Sequence, residues 1–250
     1  MSQTLSRGLE ALVALGSGPR SIYDIAEHLG VHHSTALRLL HTLEEAGFVV
    51  RREGRYFLGP RIAWLGQVVL DQSDLRLVAR PILEKLGTEI GETIHLGALL
   101  DTEVVYIDKV ESTHPVRMYS QIGKPAPLHC TGVAKAIAAN NLPLRERLRS
   151  LEQPYRRFTP FTRTTFEELE VDFARSYEVG YVLDDREHEE SIHCIAAAIQ
   201  SPSGAATSAI SVAVPVHRCD HERLLSFAPE LREAASAISA AMGFFGESER

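Results

Sequence analysis

The chain has 250 residues, 44% hydrophobic and 24% charged, the balance of a soluble globular protein of one large or two ordinary domains. No apolar run approaches the roughly 20 residues of a membrane span, and the start, MSQTLSRGLEAL, lacks the apolar core of a secretory signal, so a cytoplasmic location with no membrane partner is expected. Three widely spaced cysteines argue against a disulfide framework. The net charge of −7 is uneven: residues 1–60 hold six Lys/Arg and six Asp/Glu, so the remainder carries all of it.

Gln3–Leu15 predicts a first helix with Leu5, Leu9, Leu12 and Val13 on one face, packed beneath the helices that follow. Gly16-Ser17-Gly18-Pro19 breaks it. Ser21 is a candidate N-cap, and Ile22, Ile25, Ala26 and Leu29 then share one face of a short second helix that stops at Gly30. Ser34 is expected to cap a third helix, with Ala36, Leu37, Leu40 and Leu43 inward and Thr35, Arg38, His41, Thr42 and Glu45 outward. Hydroxyls, a guanidinium and an imidazole hydrogen-bond base edges and phosphates. Two short strands, 48–52 and 55–57, flank Glu53-Gly54 as a hairpin carrying Arg51, Arg52 and Arg55.

Two helices, a tight turn and a basic hairpin make a winged helix-turn-helix, whose second helix enters the major groove. The alternative is an ordinary helix pair with a chance glycine spacing; the cap, the polar outer face and the Arg-rich hairpin weigh against it. The arginines grip phosphate or merely blunt a hairpin edge, and the neighbouring helix pair favours phosphate. A head with no net charge binds DNA weakly alone, which argues for a dimer on two half-sites.

Tyr56–Leu70 predicts a linker helix with Ile62, Trp64, Leu65, Val68 and Val69 on a broad apolar side, packed on its own chain or on a second subunit. A helix over Ser73–Ile90 contains Pro81, so a kink or break near Arg80 is expected. Strands are expected over Thr93–Leu100, Glu103–Val110 and Val116–Ser120, a Pro-rich loop over Gly123–Leu128, and helices over Gly132–Asn140, Leu144–Leu151 and Phe166–Glu178. A strand begins at Tyr181. A hairpin joins Ile192–Gln200 to Ala205–Val216, and Ala-rich helix interrupted at Pro229 closes the chain. Strands on both sides of a helical insert suggest one antiparallel sheet flanked by helices, an α+β domain.

His129-Cys130 and His193-Cys194 would form a zinc or copper set if they converged, giving a metal or thiol sensor as a second reading, but close ligand spacing is missing. The acidic run Asp184–Glu190 reads as a solvated face before an acid–base pair. Lys135 is expected to face solvent rather than hold an anion. No serine elbow, phosphate loop or HExxH helix is present, so neither enzyme nor cofactor is expected.

The blocks STALRLLHTLEEAGF, YFLGPRIAWLG, IGKPAPLHCTGVAKAI and GYVLDDREHEESIHCIAAAIQSPSGAATSAISVAVP, in this order and spacing, resemble the IclR family of bacterial transcription regulators over essentially the full length. The resemblance implies a winged helix-turn-helix over 1–59, a linker helix over 60–72, and a GAF-like, profilin-like α+β effector-binding domain over 73–246. It implies a homodimer or dimer of dimers that controls catabolic genes, most often as a repressor, by binding palindromic operator DNA and a small organic or aromatic acid. DNA contacts are expected from Ser34, Thr35, Arg38, His41, Thr42, Arg51, Arg52 and Arg55. Effector contacts carried over from the family are Met118, Gly132, Val133, Asp184, Ile192, Cys194 and Ser211. A helix starting at Gly132 offers amides to a carboxylate, and Ile192, Cys194 and Ser211 on neighbouring strands would floor the pocket. Where the family more often has Gly, this chain has Ala134, whose extra methyl is expected to narrow the pocket entrance beside Val133.

Overall fold

The structure, a computed structural model, describes residues 3–71, 74–114 and 120–244. The chain divides into two compact units, Met1–Gln72 and Ser73–Arg250, each with its own core.

In the first unit α1 (Gln3–Gly16), α2 (Ile22–His28) and α3 (His33–Glu45) close around Ala11, Ala14, Ile25, Ala36 and Leu40. Ser21 caps α2 as expected, in a reciprocal box with Asp24. The cap of α3 is His32 rather than Ser34: the imidazole Nδ1, placed like an Asn side-chain oxygen, accepts the Ser34 N–H at 3.4 Å. Two faces are rotated from expectation. On α1 the small Gly8, Ala11 and Ala14 are buried with Leu15, while Leu5, Leu9 and Val13 stand exposed. On α3 Leu37 is exposed, and Ala36 and Leu40 fill the contact. Small residues let the helices approach closely, and the larger side chains are displaced outward.

Strands β1 (Arg20–Ser21), β2 (Val49–Arg52) and β3 (Arg55–Leu58) form a sheet in the order β1-β3-β2. Glu53 and Gly54 link β2 to β3 with φ of 49° and 77°, the left-handed pair of a two-residue hairpin turn. Two-residue β1 escaped the sequence reading. Tyr56 belongs to this sheet, so the following helix α4 (Pro60–Asp71) starts later than expected; its Trp64 and Leu65 are exposed.

The second unit opens with α5 (Asp74–Ile90), unbroken at Pro81. Pro81 is exposed, as is Leu77, whose carbonyl it leaves without a helical donor, so the missing bond lies on the outer face. An antiparallel sheet follows, built from β4 (Thr93–Leu100), β5 (Glu103–Val110), β6 (Pro125–Ala126), β7 (Val182–Asp185), β8 (Ile192–Gln200) and β9 (Ala206–Pro215), in the order β6-β5-β4-β9-β8-β7. The strand expected over 116–120 lies, apart from Ser120, outside the described residues. Helix α6 (Gly132–Ala139) packs on β4, β8 and β9 and is backed by α7 (Leu142–Ser150) and α8 (Phe166–Val179). After α9 (His221–Ser226), the closing helix α10 (Ala228–Ala241) packs with α5 and the sheet.

Every residue of α6 is buried. Glycines permit this: a Cβ on Gly132 would stand 2.5 Å from the Cys194 sulfur, and one on Gly97 would stand 3.0 Å from the Val133 Cβ. Lys135 shares that burial, which corrects the expectation that it faces solvent. At 0% exposure its ammonium donates to Asp172 Oδ2 (2.6 Å) on α8, Glu187 Oε1 (2.7 Å) after β7 and the Leu183 carbonyl (2.8 Å). Burial disfavours this charge, but Glu187 and Asp172 outweigh it and hold the lysine pKa above its ordinary value. Lys135→Met would strand the buried Glu187 carboxylate, leaving Asp172 with Arg163 at 3.4 Å, and should cost about 3–5 kcal/mol. Urea unfolding of the second unit checks this, and an unchanged midpoint would contradict the assigned role.

Candidate functional site

Two places gather chemistry. The first is the outer face of α3 with the β2–β3 hairpin. Ser34, Arg38, His41 and Thr42 are exposed and Thr35 is half-buried. His41 pairs with Glu45 at 3.5 Å, and the Thr42 hydroxyl returns to the Arg38 carbonyl. Arg51, Arg52 and Arg55 are all exposed, and Arg52 lies directly across from Arg55 in the β2–β3 register. Like charges placed opposite repel, and an anion between them removes the penalty. The sequence reading missed three exposed rings beside this face. His32 and His33 stack at 4.0 Å, and Tyr23 on α2 approaches His33 at 6.3 Å. Consecutive histidines directly before the helix were the available signal.

The second is a cavity of about 310 Å³ in the second unit. Its floor is the sheet: Tyr106 from β5, His95 from β4, Ser211 and Ala213 from β9, Ile192 and Cys194 from β8, and Asp184 from β7. The rim comes from Ser120 to Pro127, from Gly132 on α6, and from His188 and Glu189. Gly132, Asp184, Ile192, Cys194 and Ser211 are thus brought together. Val133 is not: it points at Gly97, between helix and sheet. Ala134 is fully buried and lines no part of the cavity, so its methyl narrows no entrance. Met118 lies outside the described residues. His95, Tyr106, Lys124, His188 and Glu189 were missed. His95 sits here because its register partner is Ser211, a pairing that requires the strand order.

Burial sets the electrostatics. Asp184 is pushed up to about 7, first by burial and then by Glu187, although the Glu187 N–H donates to it at 2.8 Å. His95 is pushed down to about 3 by burial, with Lys109 adding to it, so its ring is neutral; its Nε2 meets the Ser120 hydroxyl at 2.6 Å. Burial also raises the Cys130 and Cys194 thiols, which makes them poor sensors of oxidants. His193 and Cys194 are consecutive on β8 and face opposite sides, so the two His-Cys pairs form no common ligand set. His129 instead bonds the Arg156 carbonyl at 2.9 Å. Among the described residues, no three His, Cys, Asp or Glu are grouped to hold a metal.

The profile described as bacterial transcriptional regulator IclR C-terminal matches residues 67–240, and the IclR helix-turn-helix domain matches residues 4–53. The chain belongs to the IclR family of bacterial transcriptional regulators. It is 32% identical over 249 residues to the transcriptional repressor IclR of Escherichia coli K12, covering 96% of this chain and 90% of that one. Among solved structures it resembles IclR of Thermotoga maritima, with 30% identity, a TM-score of 0.76, and 98% and 100% of the two chains covered. It also resembles an IclR homologue from Microbacterium hydrocarbonoxydans complexed with 4-hydroxybenzoate, with 25% identity, a TM-score of 0.78, and 96% and 98% covered. These IclR relatives are regulators, not enzymes, and both units of the fold are those of the family: a helix-turn-helix followed by an α+β domain. No described helix is long and apolar enough to cross a membrane.

The raised Asp184 has a pH signature. Its folded pKa of about 7 exceeds the unfolded carboxyl value of about 3.9, so the folded chain holds the extra proton between them. Its stabilising contribution is full at low pH and is lost as the pH climbs toward 7. Urea midpoints from about pH 4 to about pH 8 should therefore fall more in the native protein than in Asp184→Asn; parallel profiles would contradict the shift.

Proposed function

We propose that this regulator binds a palindromic operator as a dimer, reads it through α3, and changes its grip when a small organic acid occupies the sheet cavity. The observation that carries the reading is the pairing, in one chain, of an exposed polar helix with a partly open cavity over the sheet, in a family with a relative holding 4-hydroxybenzoate. Thr35 and Arg38 contact base edges, with His41 and Thr42 on the same face. Ser34 and the Arg51, Arg52 and Arg55 wing grip phosphates.

Residues 60–72 link the DNA-binding head to the effector domain. The exposed Leu5, Leu9 and Val13 of α1, and Trp64 and Leu65 of α4, suit burial against a second copy. Two heads supply the phosphate contacts that one head without net charge lacks, and half-sites about one helical turn apart let a change in head spacing alter affinity. Repression is the mode that the repressor relative favours; catabolic genes as its targets and the cytoplasm as its location belong to the same proposal.

Arg38→Ala tests the DNA face. Titrating its own promoter region against random duplex should show a loss of about 1–3 kcal/mol confined to the operator. Equal loss on both duplexes would reduce Arg38 to a phosphate contact.

A further inference from the structure

Three exposed rings border the groove-reading helix: Tyr23 in the first turn of α2, His32 at the cap of α3 and His33 at its first position. They form a row, with ring centroids 6.3 Å apart from Tyr23 to His33 and 4.0 Å apart from His33 to His32. The cap fixes where the hydrogen of His32 lies. Its Nδ1 accepts the Ser34 N–H at 3.4 Å, so that nitrogen carries no hydrogen, and the Ser34 hydroxyl 2.9 Å away donates to it as well. The ring hydrogen is then on Nε2, on the far side of the imidazole from the cap. With the serine hydrogen committed to the ring, the outward donor at this corner is the His32 Nε2–H.

Resting on the reading of α3 as the groove helix, we propose that Tyr23, His33 and His32 form a strip of ring donors that grips the phosphate backbone. In this strip His32 is at once the cap of the recognition helix and a DNA contact, and Ser34 reaches the backbone through it. In a helix-turn-helix the first helix crosses the backbone while the start of the second enters the groove, so Tyr23 on α2 and the two histidines opening α3 border the same strand. Phosphate oxygens only accept, and a phenol O–H and an imidazole N–H both donate. The head gains from such donors, because its six Lys/Arg are matched by six Asp/Glu, and an uncharged donor grips without relying on counterion release. Rings held in a row have few rotamers left to lose, which lowers the entropy cost of contact.

Binding of the full-length protein to its own promoter region and to random duplex, each over a range of salt, tests this with three variants. His32→Ser keeps a good cap residue and removes the outward N–H, Tyr23→Phe removes only a hydroxyl, and His33→Ala removes the middle ring. Each should bind both duplexes about 10-fold more weakly, the effect of losing one hydrogen bond to a charged group. The urea midpoint of the first unit should stay unchanged in all three, and the salt slope should stay unchanged in His32→Ser. Native affinity in any of the three overturns the strip, as does a loss confined to the promoter, which would make the rings base readers. A midpoint that falls along with affinity in His32→Ser makes the imidazole a cap and nothing more, and a salt slope lowered by about 1 makes it a charged contact; either result overturns its assigned part. Native protein that binds neither duplex removes the groove-helix reading itself.

Discussion

Lys135 carries its charge where no solvent reaches it, and three oxygens on separate elements compensate it: Asp172 on α8, Glu187 after β7 and the Leu183 carbonyl of β7. A buried ammonium costs several kcal/mol unless its partners are well placed, so this contact fixes the relative position of α6, α8 and the segment following β7. That segment is one wall of the cavity. Glu187 bonds Lys135 with its side chain and Asp184 with its amide, while the Thr159 and Thr162 hydroxyls take the carbonyls of Arg186 and Glu187 at 2.6 Å. The wall is thus tied from behind, and its forward groups, Asp184, His188 and Glu189, line the cavity.

The same economy of size shapes both units. Glycine and alanine sit wherever a helix must lie close: Gly132 against Cys194, Gly97 against Val133, and Gly8, Ala11 and Ala14 on α1. In the C-terminal unit close approach builds a floor on which polar side chains from five strands converge. In the N-terminal unit it pushes larger apolar side chains outward, where a second subunit can cover them.

Much of this was legible in the sequence. β8 was read at its observed bounds because its apolar run ends at Pro202-Ser203-Gly204, and α8 began at Phe166 because Thr165 and Glu168 form a capping box. The winged head was readable from Gly30 and Glu53-Gly54, whose backbone needs are local. What escaped was non-local. The partners of Lys135 lie 37 and 52 positions away, so nothing near it reveals its burial. Val133 and Ala134 were misplaced because a helix start does not say which of its first residues turns toward the ligand space. The imidazole cap of α3 was missed because histidine is seldom considered in a position where serine, threonine, aspartate and asparagine dominate.

The central claim is that the C-terminal cavity governs the grip of α3 on DNA. Anisotropy of labelled promoter DNA, titrated with protein with and without a bound acid, tests it most directly when repeated with a folded Ser211→Phe variant whose ring occupies the cavity. The acid should change the affinity of the native protein and leave that of the variant, which still binds DNA, unaltered. A variant that responds to the acid as fully as the native protein would contradict the claim.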